Sequence, residues 1–384
     1  MAARWENYLK RWTEEGLIEP SAAERIRAYE AEQDKARGLG WPVVLVISLG
    51  GLLLGAGVLL FVAAHWDTLS PSLRFGLVLA LVALFHVSGA MAAGRFPALA
   101  TTLHAVGTIC LGAGIFLAGQ IFNLQEHWPG GVMLWALGAW IVWALLRDWP
   151  QAALAALLTP MWLSGEWLEA TRGWAVSEKI LLEGLLLLSI AYLSALAPAK
   201  ETSTRKALMW IGGLALIPLA ASLPSFPSGA PWQQVALPEH YGVLGWSAAF
   251  ALPLVVACWL RRGSAWINVI AALWVVALGA TSFSAGARQG LLHYAWRELG
   301  PYAMWALGSL GLIAWGLKDA RKERINLGVA GFALTVLSFY FSTVMDKLER
   351  SASLIGLGFL FLLGGWLLEK TRRRLVARLE KGGK

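Results

Sequence analysis

The chain has 384 residues, of which 57% are hydrophobic and only 15% are charged. An average soluble domain carries about 25% charged residues, so this composition excludes an ordinary soluble globule. The net charge of +8 does not indicate nucleic-acid binding, because no basic face with interleaved aromatic residues occurs. The two cysteines lie in apolar segments without a CxxC motif, so neither a disulfide framework nor a zinc site is expected.

The first residues of the chain predict a small helical hairpin, which we assign to a cytoplasmic segment, 1–40. A first helix should end at Gly16, a usual C-terminal cap. A second should begin at Ser21, with Glu24 completing a capping box. Because this segment is polar, we expect no cleavable signal peptide. The hairpin stretch 3–37 could pack on itself, on a protein partner or second copy, or on the membrane surface, through apolar residues at helical spacing: Trp5, Tyr8, Leu9, Trp12, Ile26 and Tyr29.

Twelve apolar blocks follow, most of them about 20 residues long, the length that a helix needs to cross a bilayer. Such blocks must be helical, because lipid leaves every backbone polar group to be satisfied within its own segment. The fold class predicted is therefore an all-α polytopic transmembrane bundle of about 12 spans. The approximate limits are 41–64, 72–94, 98–119, 129–147, 149–168, 178–197, 205–223, 241–260, 264–282, 299–317, 324–342 and 352–369.

The distribution of basic residues fits this division of the chain. If the N-terminus is cytoplasmic and the spans alternate, 25 of the 32 Lys and Arg residues fall in cytoplasmic segments. This is the positive-inside bias of membrane proteins, and a missed span would have reversed it. We therefore expect a multi-pass protein of the bacterial inner membrane with both termini in the cytoplasm, ending in a basic tail, 371–384.

Two short sequences recur along the chain. The tetrapeptide LGAG occupies positions 54–57 and 111–114, and WALG occupies 135–138 and 305–308. Small residues let membrane helices approach closely, so the glycines predict packing seams, with a flexible gate as the alternative. Because the two WALG spans are six apart, they suggest two parallel halves, 41–197 and 205–370, with a chance likeness as the alternative.

Ionisable and amide side chains inside the predicted spans are functional candidates, because such groups are costly in lipid. They are His86, His104, Glu183 and Asn268. His86 and His104 should lie at the same depth on neighbouring spans and could meet. A proton relay would need that contact, whereas neutral histidines bonded across two helices are the simpler interpretation. Without a carboxylate at the same depth, the pair makes a poor metal site.

A second group of polar residues lies where spans one and three end. These residues, which we call the outer-mouth cluster, are His65, Asp67, Gln120, Asn123, Glu126 and His127. Carboxylates with imidazoles could bind a divalent cation or a cationic solute. The alternative is a set of solvated loop groups and ordinary turn residues. On balance we expect no bound metal and no cofactor.

The N-terminal part of the chain resembles a known family. The resemblance rests on Trp12 and 16–18 (GLI) of the hairpin, then GAGVLLFVAAHWD (55–67) and LGAGIFLAGQIFNL (111–124). These are similar to the bacterial membrane proteins of domain of unknown function 2157, best over residues 1–150, although His65 stands where Asn is expected in many members. The tail, 325–328 and 368–375, is also similar. The resemblance implies a polytopic membrane protein and brings no activity, substrate or site residue.

Three functions remain open at this point. The first is a non-enzymatic membrane scaffold or regulator that uses the hairpin for interaction. The second is a transporter of ions or small solutes with a site between two six-helix halves. An intramembrane enzyme is the third, but no phosphate loop, HExxH or GxSxG motif occurs. A transporter should contain a water-filled cavity lined by the polar membrane residues, whereas a scaffold should have a packed interior.

Overall fold

A computed structural model describes residues 9, 11–36, 70–122, 127–172, 175–196, 202–223, 237–261, 265–283 and 291–344, with single positions at 46, 49, 53, 358, 362, 366 and 370. Within these residues the secondary structure is helical, which confirms the all-α class. The helices are α1 (Pro20–Ala36), α2 (Pro71–Ala92), α3 (Pro97–Phe122), α4 (Trp128–Leu146), α5 (Trp149–Ala170), α6 (Ala175–Leu193), α7 (Ser203–Ser222), α8 (Glu239–Arg261), α9 (Trp266–Phe283), α10 (Leu291–Lys318) and α11 (Lys322–Phe339), followed by a π-helical turn, Tyr340–Val344.

Helices α2 to α11 overlap predicted spans two to eleven, although α10 begins well before its predicted span. Apart from single positions, spans one and twelve lie outside the described residues. Five of the described helices are long and apolar enough to cross a bilayer: α2, α3, α4, α8 and α11 with its following turn. Helix α9 contributes a shorter apolar stretch, Trp266–Thr281. The chain is thus a membrane protein with several apolar helices. The total of twelve spans and the side on which each terminus lies stay predictions.

Local sequence explains where several helices begin. Pro71 and Pro97 open α2 and α3. Proline suits a helix start because its missing N–H would have no partner there. Asp148 precedes α5 and accepts a hydrogen bond from the backbone N–H of Gln151. Thr202 precedes α7 and accepts one from Arg205 in the same way. Such caps satisfy donors that the first turn leaves unpaired.

The structure divides into two compact units, Met1–Arg74 and Phe75–Lys384. In the first unit, Gly16 has a φ of +71°, as a helix-ending glycine requires. Helix α1 begins at Pro20, one residue before the predicted Ser21. Leu9 and Ala23 are buried, whereas Leu17 is 68% exposed and Tyr29 is 62% exposed. The hairpin therefore has a small core and keeps large apolar groups at its surface.

Helix α6 is the centre of the second unit. It packs against α5, α7, α8 and α9. Leu186, Ile190 and Leu193 are buried on it and belong to the main core, which also includes residues of α7, α9 and α10. A second core lies between α4 and α5, around Val132 and Leu158. A helix that is apolar on all sides, as α6 largely is, takes an interior position of this kind.

The two glycines of the second LGAG sequence lie at helix contacts, as predicted. A Cβ added at Gly112 would collide with the Trp135 ring of α4, and one at Gly114 would lie 2.5 Å from Val78 Cγ1 of α2. Span three therefore uses its glycines to approach both of its sequence neighbours. The first LGAG sequence lies outside the described residues.

The two WALG sequences share one contact and differ in another. Gly138 of α4 faces Leu111 of α3, and Gly308 of α10 faces Trp274 of α9, so each glycine receives a side chain from the preceding span. The tryptophans behave differently. Trp135 donates to the Thr108 carbonyl of α3, whereas Trp305 donates to the Ala220 carbonyl of α7. The 6+6 duplication stays a prediction that the glycine contacts favour and the tryptophan contacts do not.

Candidate functional site

The two intramembrane histidines meet. His86 on α2 and His104 on α3 lie with their Nδ1 atoms 3.1 Å apart and their ring centroids 5.4 Å apart. His104 is buried and His86 is half-buried. The sequence predicted this contact from depth alone, and the geometry is that of one imidazole N–H donating to the other ring.

Each histidine ring lies over a glycine of the opposite helix. A Cβ added at Gly89 would lie 2.9 Å from the His104 ring, and one at Gly107 would lie 2.9 Å from the His86 ring. The contact is therefore reciprocal, and neither glycine can carry a side chain without moving a ring. The Thr108 hydroxyl also donates to the His104 carbonyl, at 3.1 Å. Nothing in the sequence pattern paired either glycine with a histidine.

One carboxylate outside the helices interacts electrostatically with the histidine pair. Asp148, between α4 and α5, interacts electrostatically with His104. Burial raises the pKa of Asp148, and the hydrogen bond from Gln151 N–H and the charge of His104 partly oppose that rise. Among the described residues, no group of three or more His, Cys, Asp or Glu side chains could hold a metal ion.

Glu183 is buried on α6 beside Lys179, one helical turn away. The Lys179 Nζ lies 3.7 Å from Glu183 Oε1 and donates to the Gly279 carbonyl of α9 at 2.7 Å. A Cβ at Gly279 would collide with the Glu183 carboxylate. Sequence reasoning found Glu183 but assigned it no partner. The i,i+4 spacing of Lys179 and Glu183 was the available signal.

Asn268 lies buried near the start of α9. Its side-chain nitrogen donates to the Ser194 hydroxyl of the turn after α6, at 3.3 Å. Ser194 in turn donates to the Ala191 carbonyl. Asn268 therefore links two helices within the core of the second unit.

The structure describes only two residues of the outer-mouth cluster. Gln120 is exposed near the end of α3, and His127 precedes α4. The remaining residues, His65, Asp67, Asn123 and Glu126, lie outside the described residues. The imidazole of His127 lies 2.7 Å from Glu166 Oε2 of α5, a carboxylate that the cluster had not included.

A second hydrogen-bonded group lies beside this pair. The indole N–H of Trp128 donates to Glu169 at 2.9 Å, and Arg172 donates to the same carboxylate at 2.6 Å. Trp162 donates to Glu166. Glu166 bonds to His127 and Glu169 bonds to Trp128. These two carboxylates therefore connect the end of α5 to the start of α4. These groups are solvated, which limits their energetic contribution.

An apolar cavity of about 450 Å³ lies between α2, α3 and α4, with His127 and Trp128 in its lining. The rest of the lining is apolar, with side chains such as Val78, Leu111 and Ile115. None of His86, His104, Glu183 and Asn268 lines it. The cavity therefore lacks the convergent polar groups that would orient a polar solute.

An extensively bonded polar group among the described residues of the second unit was not predicted from the sequence. We call it the Asp319 cluster: Asp319, Arg261, Arg324 and Trp315. Arg324 is 1% exposed and donates to Asp319 Oδ2. Arg261 donates to the same oxygen at 2.8 Å, and Trp315 Nε1 donates to it at 2.9 Å. The Arg324 guanidinium also lies over the Trp315 ring, 4.1 Å from its centroid.

Arginines near this cluster also bind the carbonyl ends of two helices. Arg324 donates to the carbonyls of Leu193 and Leu196, at the end of α6. Arg205 donates to Ala195 and to Leu260, the latter in the last turn of α8. These carbonyls have no partners within their own helices and carry the negative end of the helix dipole. The cluster thus joins the ends of α6, α8, α10 and α11.

The pKa of Asp319 is lowered. Burial alone would raise it, but the hydrogen bond and charge of Arg324, together with those of Arg261, outweigh the burial. The aspartate is therefore held as a carboxylate. Its position just after α10, in a segment otherwise rich in Lys and Arg, was the only sequence signal for this arrangement.

Residues 10–152 match the family model described as Predicted membrane protein (DUF2157). The match confirms the resemblance drawn from the hairpin and the two glycine-rich spans, and it ends just inside α5. No curated protein matches the chain, and no solved structure matches it. The family description establishes a membrane protein of unknown function and assigns no activity to the residues above.

Proposed function

We propose that this chain, whose residues 10–152 match the DUF2157 family of membrane proteins, is a non-enzymatic membrane scaffold or regulator. The observation that carries the proposal is that all four intramembrane polar candidates have bonded partners inside the helix bundle. His86 pairs with His104, Glu183 pairs with Lys179, and Asn268 bonds to Ser194. A solute pathway would instead present such groups to water.

The Asp319 cluster favours a helix bundle whose helices do not move relative to one another. It joins four helices through a buried carboxylate and two buried guanidinium groups. Removing one partner from such a group costs about 3–5 kcal/mol, because a charge is then left buried without compensation. A transport cycle that moved these helices apart would have to meet a cost of that kind at each turnover.

We assign the interaction surface to the N-terminal hairpin. Its exposed apolar side chains, among them Leu17 and Tyr29, would bind a protein partner or the hairpin of a second copy. Exposed apolar residues concentrated on a small segment mark such surfaces. In this proposal the protein resides in the bacterial inner membrane, crosses it several times and presents the hairpin to the cytoplasm.

Water accessibility of the core tests the proposal. In a background without native cysteines (Cys110→Ala and Cys258→Ala), single cysteines replace two buried serines: Ser189, on the same helix as Glu183, or Ser194, which accepts a hydrogen bond from Asn268. Matched controls replace Ser72 and Ser203, which are exposed in the first turns of α2 and α7. A charged thiol reagent is applied to both sides of membrane vesicles. We expect rapid labelling of the controls and none of the core cysteines.

Labelling of Ser189→Cys or Ser194→Cys at the rate of the controls would contradict the scaffold proposal. The hairpin assignment has its own test. A photoreactive residue in place of Leu17 should cross-link to a second copy or to another protein in intact cells, whereas the same residue at the lipid-facing position Leu145, which is 76% exposed, should not. Equal cross-linking at both positions would remove the hairpin assignment.

Transport remains the second candidate, and one observation favours it. The buried pair of Lys179 and Glu183 places two ionisable groups inside a predicted span, where they are costly unless they serve a purpose. If this pair moves a proton or an ion, the cysteine at position 189 should be labelled, and Glu183→Gln should abolish that labelling or any associated flux.

A further inference from the structure

The Nδ1 contact between His86 and His104 fixes how many protons the two rings share. A hydrogen bond between these atoms, 3.1 Å apart, needs one hydrogen and one lone pair. One ring must therefore carry its proton on Nδ1, and the other must carry its proton on Nε2. The neutral pair thus holds two ring protons in two different tautomers.

The same geometry limits what the pair can accept. One additional proton can bind the free Nε2 of the donor ring, and that ring then becomes an imidazolium whose Nδ1–H still donates to its neighbour. Such a charge-assisted hydrogen bond is roughly twice as strong as a neutral one. A second additional proton would place hydrogens on both Nδ1 atoms, which would abolish the bond and leave two like charges in contact.

One carboxylate can offset a single positive charge on the pair. It is Asp148, at the turn between α4 and α5, which interacts electrostatically with His104. Gly89 and Gly107 hold the two rings from opposite helices, so the rings cannot separate without a shift of α2 against α3. A change in the protonation state of the pair therefore affects the contact between α2 and α3.

We propose that His86 and His104 form a binding site for one proton, and that binding of this proton strengthens the contact between α2 and α3. The site goes beyond the scaffold function and does not depend on it. It would make the packing of the N-terminal part of the second unit sensitive to the acidity of the compartment beside Asp148.

Nitrogen NMR of the full chain, labelled with ¹⁵N-histidine and held in lipid nanodiscs, tests the proposal. At neutral pH we expect a scalar coupling between two Nδ1 atoms across the hydrogen bond, and two N–H groups for the pair. On acidification we expect a third N–H to appear while the coupling persists. His86→Gln and His104→Gln should each abolish the coupling, which assigns it.

The effect of Asp148 on protonation of the histidine pair is measured separately. In Asp148→Asn the coupling should remain, and the third N–H should appear only at lower pH than in the unaltered protein. Four N–H groups with loss of the coupling over the same pH range would overturn the proposal, because the rings would then titrate independently. A coupling that appears only after a metal chelator is added would also overturn it, because the site would then hold a metal.

Discussion

Lys179 on α6 donates a hydrogen bond from Nζ to the backbone carbonyl of Gly279 on α9, at 2.7 Å. The same glycine leaves room for the Glu183 carboxylate, because a Cβ at position 279 would collide with it. One backbone position thus accommodates both members of a buried ion pair. This relationship explains how an acid and a base can lie buried on α6, which we predict to be a membrane span.

Gly279→Ala should destabilise the protein. The added methyl group would push the Glu183 carboxylate away from Lys179, and overpacking of this kind costs about 1–3 kcal/mol. The measurement is the thermal unfolding midpoint in detergent. Gly311→Ala is the matched control, because nothing lies within 4 Å of a Cβ at that helical position. Equal midpoints for the two variants would show that position 279 is not crowded.

Removing one charge of the Lys179–Glu183 pair should cost more than removing both. Glu183→Leu leaves the buried Lys179 without its counter-ion, a loss of about 3–5 kcal/mol, whereas replacing a whole buried pair by apolar residues is often neutral. The double variant Lys179→Met/Glu183→Leu should therefore unfold at a higher temperature than Glu183→Leu alone. Additive losses in this double-mutant cycle would contradict the pairing.

Arg324→Met should be among the most damaging single changes in the second unit. It removes a donor to Asp319 and the donors to two carbonyls at the end of α6. We expect a loss of about 3–5 kcal/mol in the free energy of unfolding. Arg324→Lys should restore little of it, because an ammonium group lacks the planar fork of donors. Arg172→Met, which removes an exposed ion pair, should leave the unfolding free energy unchanged.

Stability should fall in acid through Asp319. Its pKa is lower in the folded protein than the value of about 3.9 expected for an unfolded chain. The carboxylate therefore stabilises the fold fully above that value, and the contribution is lost as pH falls through the folded pKa. Unfolding midpoints measured from about pH 6 to about pH 3 should drop less steeply for Asp319→Asn than for the unaltered protein. Parallel curves would assign acid sensitivity to other carboxylates.

The glycines of the two WALG sequences should respond alike if the halves share an ancestral packing. Gly138→Ala would collide with Leu111, and Gly308→Ala would meet Trp274 at 2.5 Å. Both changes should lower the unfolding midpoint, with Gly76→Ala, which has open space, as the control. A large effect at only one position would leave the sequence likeness without a structural counterpart.

The sequence by itself determined the class of the protein and the positions of its helices. The apolar blocks that we assigned to spans two to eleven are helices α2 to α11, with ends that differ by a few residues except at α10, which begins eight residues early. This part was predictable because lipid forces each block to satisfy its own backbone, so length and hydropathy suffice. Matching depth on adjacent spans was likewise enough to bring His86 and His104 together.

The partners of the polar groups were decided only by the tertiary structure. Lys179 and Gly279 are 100 residues apart in the chain, and Arg324 reaches the end of α6 across more than 120 residues. Hydropathy predicts the depth of each helix in the bilayer. It predicts neither the rotation of the helix about its own axis nor the helices that it contacts. Those depend on side-chain packing between helices, which is why Arg324 and Asp319 read as ordinary cytoplasmic charges in the sequence and form a buried cluster in the fold.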